Sequence, residues 1–122
     1  DNDKNAANSG SELVKALESF GKSQANQSSE TREIIDDAKE HAEHIGSNAG
    51  NIEHQREHFQ TLSEDLYDLV KTAGGKQKLY YTYCPMYNKG KGARWLSESK
   101  EIRNPYLGSE MPECGTVEEE LN

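Results

Sequence analysis

One apolar stripe constrains this chain more than any other feature. Ile52, Phe59, Leu62, Leu66, Leu69, Val70 and Ala73 recur at helical spacing between about residues 51 and 73, with charged and polar residues between them. Such a stripe is one face of an amphipathic helix and needs an apolar partner to cover it. Lys71 falls in the last turn, where a cation suits the helix dipole, and Gly74-Gly75 ends the pattern. Only 32% of the 122 residues are hydrophobic, so the core available to cover the stripe is small.

Two weaker helical patterns precede it. Ser11 serves as the N-cap of the first, in which Leu13, Leu17 and Phe20 share a face. Gly21 and the polar run from Ser23 to Ser29 end it in the low twenties. The second opens at Ser28 or Ser29 and places Ile34, Ala38, Ile45 and Ala49 on one face, with Ala42 beside them. Gly46 and Gly50 lower its helix propensity, and Gly50-Asn51 marks a turn. Residues 1–10 are polar and read as a flexible arm ahead of a single domain over 11–122, with helices over about 11–74.

After Lys76 the pattern changes. Leu79-Tyr80-Tyr81-Thr82-Tyr83 is aromatic and β-branched, which predicts a strand. Gly90, Gly92, Asn104-Pro105 and Leu107-Gly108 are turn material, Gly115-Thr116-Val117 is a short return strand, and 118–122 is an acidic tail. Five of the six tyrosines and the single Trp95 fall in this C-terminal part and supply its core. The fold class predicted is mainly α: a three-helix bundle with a small C-terminal β-hairpin/loop module over about 76–117.

The formal net charge of −8 gives a surface that repels polyanions, so nucleic acid is not an expected partner, whereas cations are compatible with it. No apolar run approaches the roughly 20 residues of a transmembrane helix. The chain starts at Asp1 without Met, as a processed exported protein or a truncated piece would. Enzyme signatures are weak. There is no Gly-rich phosphate loop, and in His54-Gln55-Arg56-Glu57-His58 the first histidine is followed by Gln where a zinc protease carries Glu. A Cys84/His58 nucleophile–base pair has no substrate pocket to support it, and the chain is read as non-enzymatic.

All of the chain's sulfur lies in two short segments, Cys84-Pro85-Met86 and Met111-Pro112-Glu113-Cys114. Two thiols and two thioethers form a soft ligand set that suits Cu(I), and the prolines stiffen both segments. The same two cysteines can instead close a disulfide, and the methionines can fill core. The four histidines form two pairs, His41/His44 at i, i+3 and His54/His58 at i, i+4. Either spacing puts two imidazoles on one helix face. His41 and His44 read first as surface polar residues. With Glu40, Glu43, Glu53 or Glu57, the histidines offer a harder site for zinc or Cu²⁺.

The C-terminal strings Tyr83-Cys84-Pro85-Met86, Gly90-x-Gly92-Ala93-x-Trp95-Leu96-Ser97, Glu101-Ile102-Arg103-Asn104-Pro105-Tyr106-x-Gly108 and Met111-x-x-Cys114-Gly115 resemble the bacterial family called domain of unknown function 3347. Ile52-Glu53-x-Gln55-Arg56-x-x-Phe59-x-x-Leu62-Ser63 extends the resemblance, which spans roughly residues 51–117. It implies an exported protein, periplasmic or in the outer envelope and often lipid-anchored. It also implies a link to copper/silver efflux pumps, whose adaptor subunits carry this domain in fusion. Cys-Pro-Met is similar to the Cys-Pro-Met-His-Pro element of small heavy-metal-binding domains, but Tyr87-Asn88 stands where His-Pro would be. The resemblance implies Cys84, Met86, Met111 and Cys114 as leading ligands, with His58 and His54 next, and Trp95, Arg103, Asn104 and Tyr106 as the scaffold. The functional expectation is therefore an extracytoplasmic heavy-metal binder, most simply a Cu(I) buffer, chaperone or efflux accessory that meets pump components. Zinc is the alternative ion, and a metal-free envelope interaction module stapled by Cys84–Cys114 is the alternative reading.

Overall fold

The computed structural model describes residues 2–23, 28–73 and 78–121. Three helices come first: α1 over Asp3–Ser23, α2 over Ser29–Ser47 and α3 over Ile52–Ala73. Gly74-Gly75, the expected stop of the third helix, lies outside the described residues. The Ser28 hydroxyl caps α2 by accepting from the Thr31 N–H at 3.2 Å. The Asn51 side-chain oxygen caps α3 by accepting from the His54 N–H at 3.2 Å. Between these helices the chain reverses over residues 48–51, with Gly50 at φ 93°, where a side chain would be strained. α2 and α3 are thus an αα-hairpin joined by a short turn.

The structure corrects the expected flexible arm: α1 starts at Asp3, not at Ser11. Asn2 caps the helix by accepting from the Asn5 N–H at 2.9 Å. Asp3 then docks on the α2–α3 turn, where its Oδ2 accepts from the Gly50 N–H and its carbonyl accepts from Gln55 Nε2 at 3.0 Å. Small residues do the rest. Ala7 and Gly10 are buried against α2, and a Cβ on Gly10 would lie 2.8 Å from the Ala42 carbonyl oxygen and 3.0 Å from the Gly46 nitrogen. Gly46 therefore belongs to a close helix crossing. The apolar cluster between the helices comprises Leu17, Ile35, Ala38, Ala42, Ile45 and Leu62, with Leu13, Val14, Phe20, Phe59, Leu66 and Leu69 around it. Ile35 rather than Ile34 is the buried member of its pair, and Ala49 is exposed beyond the end of α2.

The C-terminal part is a three-stranded antiparallel sheet with β1 (Leu79–Cys84) in the centre, flanked by β2 (Ala93–Ser97) and β3 (Thr116–Leu121). Thr82 pairs with Trp95 on one side, and Tyr81 pairs with Glu119 on the other. The expected hairpin is thereby widened by a third strand, and the expected acidic tail is strand up to Leu121. An edge strand tolerates three successive glutamates because cations answer them. Arg94 pairs with Glu118, Lys71 with Glu119 at 2.8 Å and Lys78 with Glu120 at 2.7 Å.

A second cluster, of Cys84, Ala93, Trp95 and Tyr106, fills the space between sheet and loops. Phe59 packs against both clusters and so joins the helices to the sheet module. Its ring centroid lies 5.6 Å from that of Tyr106, which also stacks on Tyr87 at 4.6 Å. Arg56 Nε donates to the Pro105 carbonyl at 3.0 Å on the same face of α3.

Candidate metal centre

The αα-hairpin brings the two histidine pairs together. His41 and His44 come from α2, and His54 and His58 from α3. One donor atom each from His44, His54 and His58 falls within a mutual 4.8 Å. His58 Nε2 lies 3.1 Å from His54 Nε2. Two nitrogens bound to one ion at about 2.0–2.1 Å in tetrahedral geometry stand roughly 3.3 Å apart, so this spacing suits a shared ion. The His44 ring stacks on His58 at a centroid distance of 4.3 Å and is the exposed member of the group. On the other side of His58, its Nδ1 lies 3.0 Å from His41 Nδ1.

Burial and neighbouring charge favour the neutral, ligand-competent form of His58. Burial first, then the His44, His54 and His41 imidazoles, hold its pKa below the ordinary histidine value, with Glu57 pulling the other way. Next to this group stands a second one, formed by Asp37, His41 and Asp65, also within a mutual 4.8 Å. His41 Nε2 faces Asp37 Oδ2 at 3.5 Å. Burial, a hydrogen bond with Asp37 and repulsion from Asp37, Asp68 and Glu64 push Asp65 up to about 8. Its Oδ2 is buried without a hydrogen-bond partner.

The sulfur residues lie at the sheet module. Cys84 ends β1 and is fully buried, Cys114 is half-buried, and both are free thiols. The two thiols hydrogen-bond each other, and burial followed by the neighbouring Cys84 pushes the Cys114 pKa up. Met86 is 57% exposed and Met111 44% exposed, so neither fills core. Among the described residues, no group of three or more convergent His, Cys, Asp or Glu side chains contains a cysteine. His54 and His58 therefore join the other histidines rather than the thiols.

Of the residues expected to brace the sulfur, Trp95 and Tyr106 are buried in the second cluster. Asn104 is the centre of the loop. Its Nδ2 donates to the Cys114 carbonyl at 2.7 Å, while its Oδ1 accepts from the Tyr106 and Leu107 N–H groups at 2.8 Å each. The Arg103 side chain is 83% exposed and reaches Glu101 at 3.5 Å.

His44 is the member of the histidine group that was not among the expected ligands, with His41 beside it. The signal was present. His44 and His54 are nearly equidistant from the turn at 48–51, as are His41 and His58, and positions equidistant from a short αα turn face each other.

The comparisons with known proteins add one relationship. The family described as "Protein of unknown function (DUF3347)" matches residues 1–78. That match covers α1, α2 and α3, including all four histidines, and stops short of β1 and the sulfur residues. No curated protein and no solved structure matches the chain. With more than half of its 122 residues matched, the chain belongs to the family of proteins of unknown function DUF3347.

Proposed function

We propose that this chain binds a divalent transition-metal ion, Zn²⁺ or Cu²⁺, through His44, His54 and His58, and serves to buffer or carry it. One observation carries this reading: three imidazole donors from two helices converge within 4.8 Å. Imidazole suits both ions, and three histidines leave a fourth position for water or a receiving ligand. An exposed His44 and an open fourth position favour exchange over permanent structural binding. The acidic surface, with a formal net charge of −8, adds a field that draws cations.

Competition against a chromophoric Zn²⁺ chelator tests it. The His58→Ala variant should lose more affinity than the roughly 10–100-fold that an outer-shell partner is worth, and Cys114→Ser should leave affinity unchanged. Binding no tighter than micromolar, or binding that depends on Cys114, would sink the reading.

A second reading rests on the hydrogen-bonded thiols Cys84 and Cys114, with Met86 and Met111 exposed nearby in sequence. This pair suits Cu(I) when reduced and can close a disulfide when oxidised. Anaerobic Cu(I) titration of reduced protein, with and without Cys84→Ser, tests the first form. Thiol counting by mass spectrometry before and after reduction tests the second.

A further inference from the structure

Four contacts string three of the four histidines into one line. Asp37 Oδ2 faces His41 Nε2 at 3.5 Å, His41 Nδ1 meets His58 Nδ1 at 3.0 Å, and His58 Nε2 meets His54 Nε2 at 3.1 Å. At the far end His54 Nδ1 faces Glu57 Oε2 at 3.8 Å. A contact between two imidazole nitrogens needs one N–H and one bare lone pair, and a neutral imidazole has one of each. The state of one ring therefore dictates the state of the next.

An ion between the Nε2 atoms of His54 and His58 needs a bare lone pair on both. The His54 hydrogen must then sit on Nδ1, towards Glu57. The His58 hydrogen must sit on Nδ1, and it donates to His41 Nδ1. His41 Nδ1 is consequently bare, and the His41 hydrogen sits on Nε2, towards Asp37. Every remaining contact has its hydrogen pointing outwards to an acceptor, and both chains of contacts end on a carboxylate.

The reverse assignment fails. An ion taken by the Asp37–His41–Asp65 group through His41 Nε2 forces the His41 hydrogen onto Nδ1. It then donates to His58 Nδ1, and the His58 hydrogen moves to Nε2, which can no longer ligate. Both groups of donors cannot be filled while the 3.0 Å His41–His58 contact persists.

We infer that His41 is a positioning residue which, backed by Asp37, holds His58 in the tautomer that ligates, and that the Asp37–His41–Asp65 group is this outer support and not a second ion site. The inference rests on the histidine-centre reading and extends it: ligand histidines characteristically donate their second N–H to a carboxylate, a backbone carbonyl or water. Here the acceptor is another imidazole.

The test uses Zn²⁺ alone as the probe, on the whole chain. Chelator competition should give one equivalent bound. His41→Leu should weaken it roughly 10–100-fold, and His41→Asn, which restores an acceptor near the Nδ1 position, should recover most of that loss. Thermal melting without metal shows whether either variant is merely misfolded. Long-range ¹H–¹⁵N correlation of the Zn²⁺-loaded wild type reads tautomers directly and needs no variant. It should show His58 protonated on Nδ1 and His41 on Nε2. Unchanged affinity in His41→Leu, or His41 protonated on Nδ1, overturns the relay while leaving a His58-dependent centre standing. Two equivalents, the second lost in Asp65→Asn, overturns it in favour of a second ion. No Zn²⁺ bound by the wild type overturns the histidine centre and the relay together.

Discussion

The Nδ1 atoms of His41 and His58 lie 3.0 Å apart across the seam between α2 and α3. The contact joins two helices that also meet through apolar side chains such as Ala38, Ala42, Ile45 and Leu62. The packing of these small and medium residues sets how close the helices come, and hence whether the imidazoles can share a hydrogen or an ion. The metal reading is therefore a consequence of the hairpin geometry as much as of the residue types.

The Asp65 carboxyl should make the metal-free protein less stable as pH rises. Asp37 faces it from α2, as does His41, and Glu64 and Asp68 flank it on α3; its folded pKa is about 8, against an ordinary value of 3.8. A folded value above the unfolded one gives stability that is complete below pH 3.8 and is lost as pH rises through about 8. Asp65→Asn should melt higher than wild type at pH 8, and the gap should shrink towards pH 4. Melting curves of the two proteins across that range check it, and a gap independent of pH would contradict it.

Gly10→Ala should destabilise, against helix propensity. Alanine is favoured over glycine inside a helix by about 1 kcal/mol. At residue 10, however, the new Cβ would meet the Ala42 carbonyl oxygen at 2.8 Å and the Gly46 nitrogen at 3.0 Å, both backbone atoms that cannot turn aside. Forcing the helices apart should cost a net amount of about 1–3 kcal/mol, in the range of overpacked cores. Urea unfolding measures it; a more stable variant would show that the close crossing is absent.

Asn104→Ala should loosen the sulfur-bearing loop. It removes the partner of the Cys114 carbonyl and of the Tyr106 and Leu107 N–H groups. Stranding buried polar groups in this way should cost about 2–4 kcal/mol in total. Cys114 should then be alkylated faster in the folded protein, whereas Cys84, buried at the end of β1, should stay protected. Mass spectrometry after timed alkylation distinguishes the two thiols.

The third helix was legible because its stripe repeats without interruption, and Phe59, Leu62, Leu66 and Leu69 do face the core. The start of the first helix was not. Asp3 gains its role from a turn some fifty residues away, which local pattern cannot reveal. Glu118, Glu119 and Glu120 read as a solvated tail because their cations, Arg94, Lys71 and Lys78, are distant in sequence. The same holds for the site. Spacing showed that each histidine pair shares a helix face, but not that the two faces oppose each other. That depended on Gly50 and Asn51 making the turn short. The residues of the Gln55-to-Ser63 segment that carried the family resemblance prove to tie elements together. Gln55 Nε2 donates to the Ile45 carbonyl at 3.1 Å, Arg56 holds Pro105, and Phe59 bridges the two clusters.

X-ray absorption at the zinc edge of protein loaded with one equivalent of Zn²⁺ tests the central claim most directly. The histidine centre predicts a first shell of nitrogen or oxygen at about 2.0–2.1 Å, with the outer-shell scattering of imidazole rings and no sulfur. A sulfur shell at about 2.3 Å would place the ion on Cys84 and Cys114 and contradict it.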